Sequence, residues 1–213
     1  MGGSGRPPSP PRLLADVKSA LRRPYVALGV DPGLVATGYG LLEGTGAGAA
    51  VLAAGVVTTS ADLALDARLR IIYEGLHDLL VKHTPDVLIL EDLYSEYRFP
   101  RTALLMAHAR GVVCLAAGQC GVPVMALAPA EVKRAVAFNG AASKPQVQRA
   151  IGRLLDLAAP PHPSHVADAL ALAWTGLSRA GQRSDRAPER AGEDRAERGT
   201  RAGGRSPGAR EFK

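Results

Sequence analysis

The sequence predicts an α/β domain in which helices flank a mixed five-stranded sheet. Three observations predict it: short apolar runs bounded by turn residues come first, helical periodicity then alternates with further apolar runs, and helical patterns close the apolar part. Large apolar residues become rare after residue 177, and Gly, Pro, Ser and Arg are enriched near both ends. We therefore expect a flexible extension over 1–23, one domain over 24–177 and a disordered Arg-rich tail over 178–213.

Five apolar runs are predicted to form the strands. They cover residues 25–30, 37–42, 51–58, 87–90 and 122–127. The first three can pair as a meander, and Asp31-Pro32-Gly33 ends the first of them with a strong turn signal. The fourth is a continuous Val-Leu-Ile-Leu run, which is typical of a strand buried at the centre of a sheet.

Segments with apolar residues spaced three or four apart are predicted to form the helices. They cover residues 62–83, 102–119, 129–138, 143–157 and 164–178. Thr84-Pro85-Asp86 ends the first helix before the fourth strand begins. Because the later helices and strands alternate, we expect helices to be layered against a partly parallel sheet.

Two carboxylates directly follow predicted strands. Asp31 follows the first strand and Glu91 follows the fourth, and strand ends are where α/β sheets place their chemistry. If these strands are parallel neighbours, the two acids lie about 5 Å apart laterally. They would then raise one another's pKa unless a cation lies between them. Taken singly, each acid fits a turn cap or an exposed strand-end charge better.

A third acid lies inside a predicted helix. Asp168 stands in an otherwise apolar segment, where an unpaired buried carboxylate would be costly or protonated. His165, three residues earlier, lies on the same face. The structural alternative is that Ser164 caps the helix and Asp168 favours its positive end. A helical Asp and His placed against the strand-end acids would form an oxygen-rich site for Mg²⁺ or Mn²⁺, which is suited to two-metal phosphodiester hydrolysis.

Basic residues are concentrated in the middle of the chain. The whole chain has a net charge of +6, whereas the stretch from Tyr97 to Leu155 has eight basic side chains and one acidic, a net +7. This segregation favours a phosphate-binding surface beside the acidic site. Arg149 and Arg153 fit a DNA-facing stripe and a solvated helix face equally well. Because no segment reaches the roughly 18 apolar residues of a membrane span, we expect a cytoplasmic protein with no membrane contact.

Four segments resemble successive blocks of RuvC-type Holliday-junction endonucleases, in order and at family-like spacing over about residues 25–177. They are GVDPGLVATGYGLLE, VLILEDLYSEYRFPRTALLMAHARGVV, PVMALAPAEVKRAVAFNGAASKPQVQRAIGRLL and PSHVADALALAW. The resemblance implies a ribonuclease-H-like fold, a homodimer, and paired nicking of four-way junction DNA in recombination and repair. It also implies two Mg²⁺ ions, with Mn²⁺ as a possible substitute, and a branch-migration helicase complex as a further partner.

The same resemblance implies roles for individual residues. The catalytic set is Asp31, Glu91, Lys133, Lys144, His165 and Asp168. All of these except the two lysines match metal-ligand positions, although many family members have Asp where this chain has His165. The lysines match residues implicated in binding the scissile phosphate. The expected DNA-binding residues are Tyr94, Arg98, Arg101, Lys133, Arg134 and Lys144.

The loop after Tyr94 departs from the family pattern. Arg98-Phe99-Pro100-Arg101 is about one residue longer than usual and lacks the common Asn, which leaves any sequence preference open. Two other functions also stay open: a ribonuclease-H-like nuclease acting on RNA–DNA hybrids or other branched DNA, and a junction-binding protein that does not cleave. An actin-like or sugar-kinase-like ATPase is disfavoured because the sequence lacks a second Gly-rich phosphate segment and an adenosine-binding segment.

Overall fold

The computed structural model describes residues 24–45, 48–92 and 100–186. Its strands are β1 (Val26–Asp31), β2 (Ala36–Thr45), β3 (Gly48–Thr58), β4 (Val87–Glu91) and β5 (Val124–Leu127). Its helices are α1 (Leu65–His83), α2 (Pro100–Gln119), α3 (Pro129–Ala137), α4 (Lys144–Leu154) and α5 (Ser164–Arg186). The predicted extension at 1–23 lies outside the described residues, as does the predicted tail from residue 187 onward.

The five strands form one mixed sheet in the order β3-β2-β1-β4-β5, which confirms the predicted fold class. β3, β2 and β1 are antiparallel, as the predicted meander requires, whereas β1, β4 and β5 run parallel. Val30 on β1 is paired with Leu90 on β4. The next residues along the two strands, Asp31 and Glu91, therefore reach the same edge of the sheet side by side.

Helices cover both faces of the sheet, which explains the apolar runs of the central strands. Leu88 and Leu90 of β4 face a core formed with α1 and α2, while Val87 and Ile89 face a second core formed with α3, α4 and α5. Because successive residues of a strand point to opposite faces, a strand covered on both sides has to be apolar throughout. In the described part of the chain, no helix combines the length and the apolar character that crossing a membrane requires.

The last helix is longer than predicted. It continues to Arg186, so residues 178–186 are helical rather than part of a disordered tail. Glu131 on α3 forms an ion pair with Arg179 on α5, and the Ser178 hydroxyl donates to the Trp174 carbonyl at 2.9 Å. Both contacts lie beyond the apolar segment, where the loss of large apolar residues had suggested an end to the helix.

α5 lies directly against the backbone of β1 and β2 because glycines face it. A Cβ atom at Gly29 would lie 2.0 Å from the Ala169 carbonyl oxygen, and one at Gly38 would lie 2.2 Å from the His165 carbonyl oxygen. Neither position has room for any side chain, since real Cβ atoms do not come so close to backbone oxygen. This contact sets the height of α5 above the strands and hence the positions of its polar side chains.

We predict that Gly38→Ala destabilises the protein by about 1–3 kcal/mol, because the added methyl group has to push α5 away from the sheet. Gly44→Ala is the matched control on the same strand, since a Cβ there would make only ordinary contacts of 3.5 Å or more. We expect the control to change the free energy of unfolding by no more than about 0.5 kcal/mol. Urea unfolding of both variants measures the difference, and equal stability would contradict the proposed close contact.

Candidate active site

Hydrogen bonds from two threonines hold the turn that follows Asp31. The buried Thr37 hydroxyl donates to the Gly33 carbonyl at 2.7 Å and lies 3.3 Å from the Gly33 nitrogen, which donates to it. The Thr59 hydroxyl donates to the Leu34 carbonyl at 2.5 Å. Since the turn is tied at both of these points, Asp31 has a fixed position at the end of β1.

The end of β4 is tied to its neighbours through backbone atoms. The guanidinium of Arg110, on α2, donates to the backbone carbonyl of Glu91. The backbone nitrogen of Asp92 donates to the Leu127 carbonyl at 2.8 Å, which continues the pairing with β5. These bonds leave the Glu91 side chain free to project from the sheet edge beside Asp31.

α5 brings His165 and Asp168 to the same edge. His165 Nδ1 lies 2.7 Å from Asp31 Oδ2. Asp168 Oδ2 lies 3.5 Å from the Nζ atom of Lys144, at the first residue of α4. The Asp168 side chain is 24% exposed, so it lies in the wall of a cavity rather than in the apolar core. His165 thus meets a strand-end acid, whereas Asp168 is paired with a lysine from a neighbouring helix.

These residues surround one cavity of about 320 Å³. Five of the six predicted catalytic residues line it, and His165 adjoins it through its contact with Asp31. The five are Asp31, Glu91, Lys133, Lys144 and Asp168. Asp92 and Arg110 also line the cavity, together with apolar residues that include Met106 and Leu172. Acidic and basic groups that lie far apart in sequence therefore line the same cavity.

The carboxylates of the cavity oppose one another electrostatically. Partial burial raises the pKa of the Glu91 carboxyl group, and the charges of Asp31 and Asp168 raise it further, whereas Lys144 and Lys133 lower it. Burial also raises the pKa of Asp168; Lys144 opposes this shift and Asp31 adds to it. The nearby lysines therefore do not fully compensate the negative charge, and a bound cation would.

The side chains around the cavity offer atoms of the chemical types that bind divalent ions. Carboxylate oxygens with one imidazole nitrogen are ligands that Mg²⁺ and Mn²⁺ accept. Within the described residues, however, no three His, Cys, Asp or Glu side chains are grouped closely enough to hold a metal ion. Two of the acids are turned toward neighbours instead, Asp31 toward His165 and Asp168 toward Lys144. The residues fit a divalent ion chemically, and binding it requires these side chains to turn.

Residues 27–176 match the family model described as crossover junction endodeoxyribonuclease RuvC. The chain belongs to this family. Its relatives include the crossover junction endodeoxyribonuclease RuvC of Rhodopirellula baltica, which is 44% identical over 149 residues, 70% of this chain and 84% of the relative. The RuvC of Rhodococcus jostii is 46% identical over 147 residues, 68% of this chain and 77% of that protein.

Solved RuvC structures share the fold. The structure of Thermus thermophilus RuvC in complex with a Holliday junction substrate superposes with a TM-score of 0.70 at 34% identity, covering 75% of this chain and 97% of that one. A second Thermus thermophilus RuvC structure gives a TM-score of 0.67 at 37% identity, over 73% and 96% of the two chains. The ribonuclease-H-like fold implied by the sequence blocks is therefore confirmed.

The predicted DNA-binding residues of this RuvC-family chain are only partly brought together. Lys133 and Lys144 line the cavity, while Arg134 is exposed and packs over Gly140 outside it. Arg101 lies in the first turn of α2, but its side chain lies outside the described part of the structure, as do Tyr94 and Arg98 entirely. Contacts of these last three residues with DNA stay predictions.

Sequence reasoning missed Arg110 and Thr37. Arg110 was counted in the basic stretch, but nothing in its spacing showed that it would reach the backbone of Glu91 on another element. Thr37 looked like an ordinary strand residue, although its full burial beside the Asp31 turn makes its hydroxyl bonds structural. The sequence offered one signal for Thr37, namely a polar residue at a strand position that faces the interior.

We predict that Glu91→Gln raises the melting temperature of the metal-free protein at pH 7. Because the pKa of Glu91 is raised on folding, this group contributes its stability below its unfolded pKa and loses it as pH rises through the folded pKa. A neutral amide does not lose stability in this way as pH rises. The higher melting temperature of Glu91→Gln should therefore disappear near pH 4, where the wild-type carboxyl group is protonated. Thermal unfolding with EDTA at the two pH values measures the effect.

Glu74→Gln is the matched control, since Glu74 is exposed and paired with Arg70 on α1, on the opposite face of the sheet. It should give no stabilisation at pH 7. If Glu91→Gln melts at or below the wild-type temperature at pH 7, the acids do not repel one another as described.

Proposed function

We propose that this protein resolves four-way (Holliday) DNA junctions by paired, divalent-metal-dependent nicks. The observation that carries the proposal is the shared cavity, where three carboxylates on two strand ends and a helix face two lysines. Membership of the RuvC family supports the substrate, since a relative with the same fold has been solved with a Holliday junction. Hydrolysis of a phosphodiester bond needs both features, acids for metal ions and cations for phosphate.

The proposed metal ligands are Asp31, Glu91, His165 and Asp168. Two Mg²⁺ ions, or Mn²⁺ in their place, would supply an activated water and stabilisation of the leaving 3′ oxygen. Asp31 and Glu91 come from adjacent parallel strands, so the sheet fixes their relative positions. His165 contacts Asp31 through Nδ1, and its Nε2 atom forms no hydrogen bond within the described residues. That atom can bind an ion, while the Nδ1 contact orients Asp31.

The two lysines supply positive charge opposite the acids. Lys133 lies in the second turn of α3, and Lys144 is the first residue of the neighbouring helix α4. Lys144 is 75% exposed on its side chain, and its 3.5 Å contact with Asp168 is therefore easily exchanged for a phosphate oxygen. A lysine at the scissile phosphate stabilises the charge that develops during hydrolysis. Arg110 acts indirectly, by holding the backbone that carries Glu91.

We also propose that the protein is a homodimer that pairs through α2. Leu104 and Leu115 lie on this helix with exposures of 63% and 55%, and Gly111 lies between them at helical spacing. A Cβ at Gly111 would meet no atom within 4 Å, so this face is open for close packing. Exposed leucines around small residues are typical of a helix that packs against another protein surface. Two sites in one dimer would account for paired nicks.

The remaining expectations stay predictions. Tyr94, Arg98 and Arg101 are proposed to contact the junction near its crossover, with Arg134 adding charge on α3. A branch-migration helicase complex as partner is implied by the family resemblance, and the cytoplasmic location expected from the sequence stays a prediction. Each would be checked by its own experiment, and the nuclease proposal does not depend on them.

We predict that Leu115→Glu converts the dimer to a monomer at micromolar protein concentration, because a charge in an apolar contact is costly to bury. Val81→Glu is the matched control: Val81 is likewise an exposed apolar residue, at 58%, but on α1 rather than α2. Analytical ultracentrifugation of wild type and both variants gives the masses. A wild-type monomer, or a Leu115→Glu dimer as tight as the control, would contradict pairing through α2.

We predict symmetric nicks on a mobile synthetic four-way junction in Mg²⁺ or Mn²⁺, and little cutting of plain duplex or RNA–DNA hybrid. Asp31→Asn should lower the single-turnover rate by at least about 100-fold, because it removes a ligand charge. Asp78→Asn is the control, since Asp78 is exposed on α1. Equal cutting of all three substrates would leave a general nuclease, and tight junction binding without cutting would indicate a non-cleaving binder.

A further inference from the structure

A second groove lies between α3 and α4, outside the catalytic cavity. It has a volume of about 460 Å³, and we call it the α3–α4 groove. The polar and aromatic residues in its lining are Phe138, Asn139, Gln146, Arg149 and Arg153. None of them lines the catalytic cavity, and none was needed for the proposed hydrolysis.

Both the exposure and the backbone conformation of Phe138 are unfavourable for folding. Its side chain is 87% exposed, and its backbone adopts φ +56°, a left-handed conformation that bulky L-residues rarely take. An exposed ring gains no stability from burial, and the left-handed backbone conformation adds strain. A residue that is unfavourable on both counts suggests a role in binding rather than in packing.

The polar groups of the groove are free to bind an anion. Arg149 and Arg153 form no ion pair in the described part of the chain. The Gln146 side-chain oxygen accepts from the Ser143 nitrogen at 2.8 Å, and the Asn139 side-chain oxygen accepts from the Ala141 nitrogen at 2.9 Å. The oxygens are thus used locally, which leaves the amide NH₂ groups as donors. Two cations, two amide donors and an exposed ring suit a nucleic-acid strand better than any uncharged ligand.

α4 connects this groove to the catalytic cavity. Lys144 and Val147 line the cavity, while Gln146, Arg149 and Arg153 line the groove. Lys144 and Arg153 are nine residues apart, which is about 13 Å along the helix axis and about two and a half turns around it, so the groove opens on a different side of α4 from the cavity.

We propose that the α3–α4 groove binds a duplex arm of the junction away from the cleavage site. Arg149 and Arg153 contact phosphates, and Phe138 packs against the sugars and base edges. The inference rests on the proposed junction-resolving function and extends its DNA contact beyond the scissile phosphate. Its position on the same helix as Lys144 favours DNA over an acidic protein segment, which the experiment below treats as an alternative outcome.

The test compares binding to a fluorescent four-way junction, without divalent ions, across a range of salt concentrations. The double variant Arg149→Ala/Arg153→Ala should bind about tenfold more weakly, and the slope of log K against log salt should fall by about 2. Phe138→Ala should weaken binding about fivefold, and Phe138→Trp should restore it. Arg70→Ala, which removes an exposed arginine from α1 on the other side of the sheet, should change neither quantity.

Hydroxyl-radical footprinting of the same complexes locates the contact. Protection on a duplex arm outside the cleavage site should be lost in the double variant, while protection at the cleavage site is kept. If wild type nicks the junction but the groove variants bind like Arg70→Ala, the groove inference is overturned and the groove serves another ligand, such as an acidic protein segment. If wild type neither binds nor nicks the junction, the proposed function fails and this inference fails with it.

Discussion

The site depends on how closely α5 approaches the sheet. Gly29 and Gly38 remove the side chains that would otherwise separate the helix from β1 and β2. Only at that distance can His165 reach Asp31, and the turn that follows Asp31 is held by the Thr37 hydroxyl. The parallel pairing of β1 with β4 then adds Glu91 at the same edge. Side chains spread over more than a hundred residues of sequence are thus brought to one edge of the sheet by backbone contacts.

Bringing these acids together in a partly buried site is electrostatically unfavourable. Burial and mutual repulsion raise the pKa values of Glu91 and Asp168, so the folded protein holds negative charge that it does not itself neutralise. Lys144 offsets part of it from an exposed position, where the pair is weak and easily exchanged. Burial and repulsion of these carboxylates therefore lower the stability of the folded protein at the site.

Much of this could be predicted from the sequence. The five strands were found because buried central strands such as β4 are apolar throughout, and Asp31 and Glu91 because strand ends are marked by turn residues. The extension of α5 to Arg186 could not be found, since it depends on an ion pair with Glu131 rather than on periodicity. Arg110 and the α3–α4 groove were also hidden, because both arise from contacts between separate elements.

One helix, α2, carries both the proposed dimer contact and a residue that supports the candidate active site. The open apolar face of α2 carries Leu104 and Leu115, while Arg110 on the same helix holds the backbone of Glu91. If α2 is the dimer contact, association of subunits and ligation of ions share a rigid element, and thermodynamic linkage makes their influence reciprocal. Apparent affinity for the divalent ion would then rise with protein concentration, so that a subunit becomes competent to cut as it finds its partner.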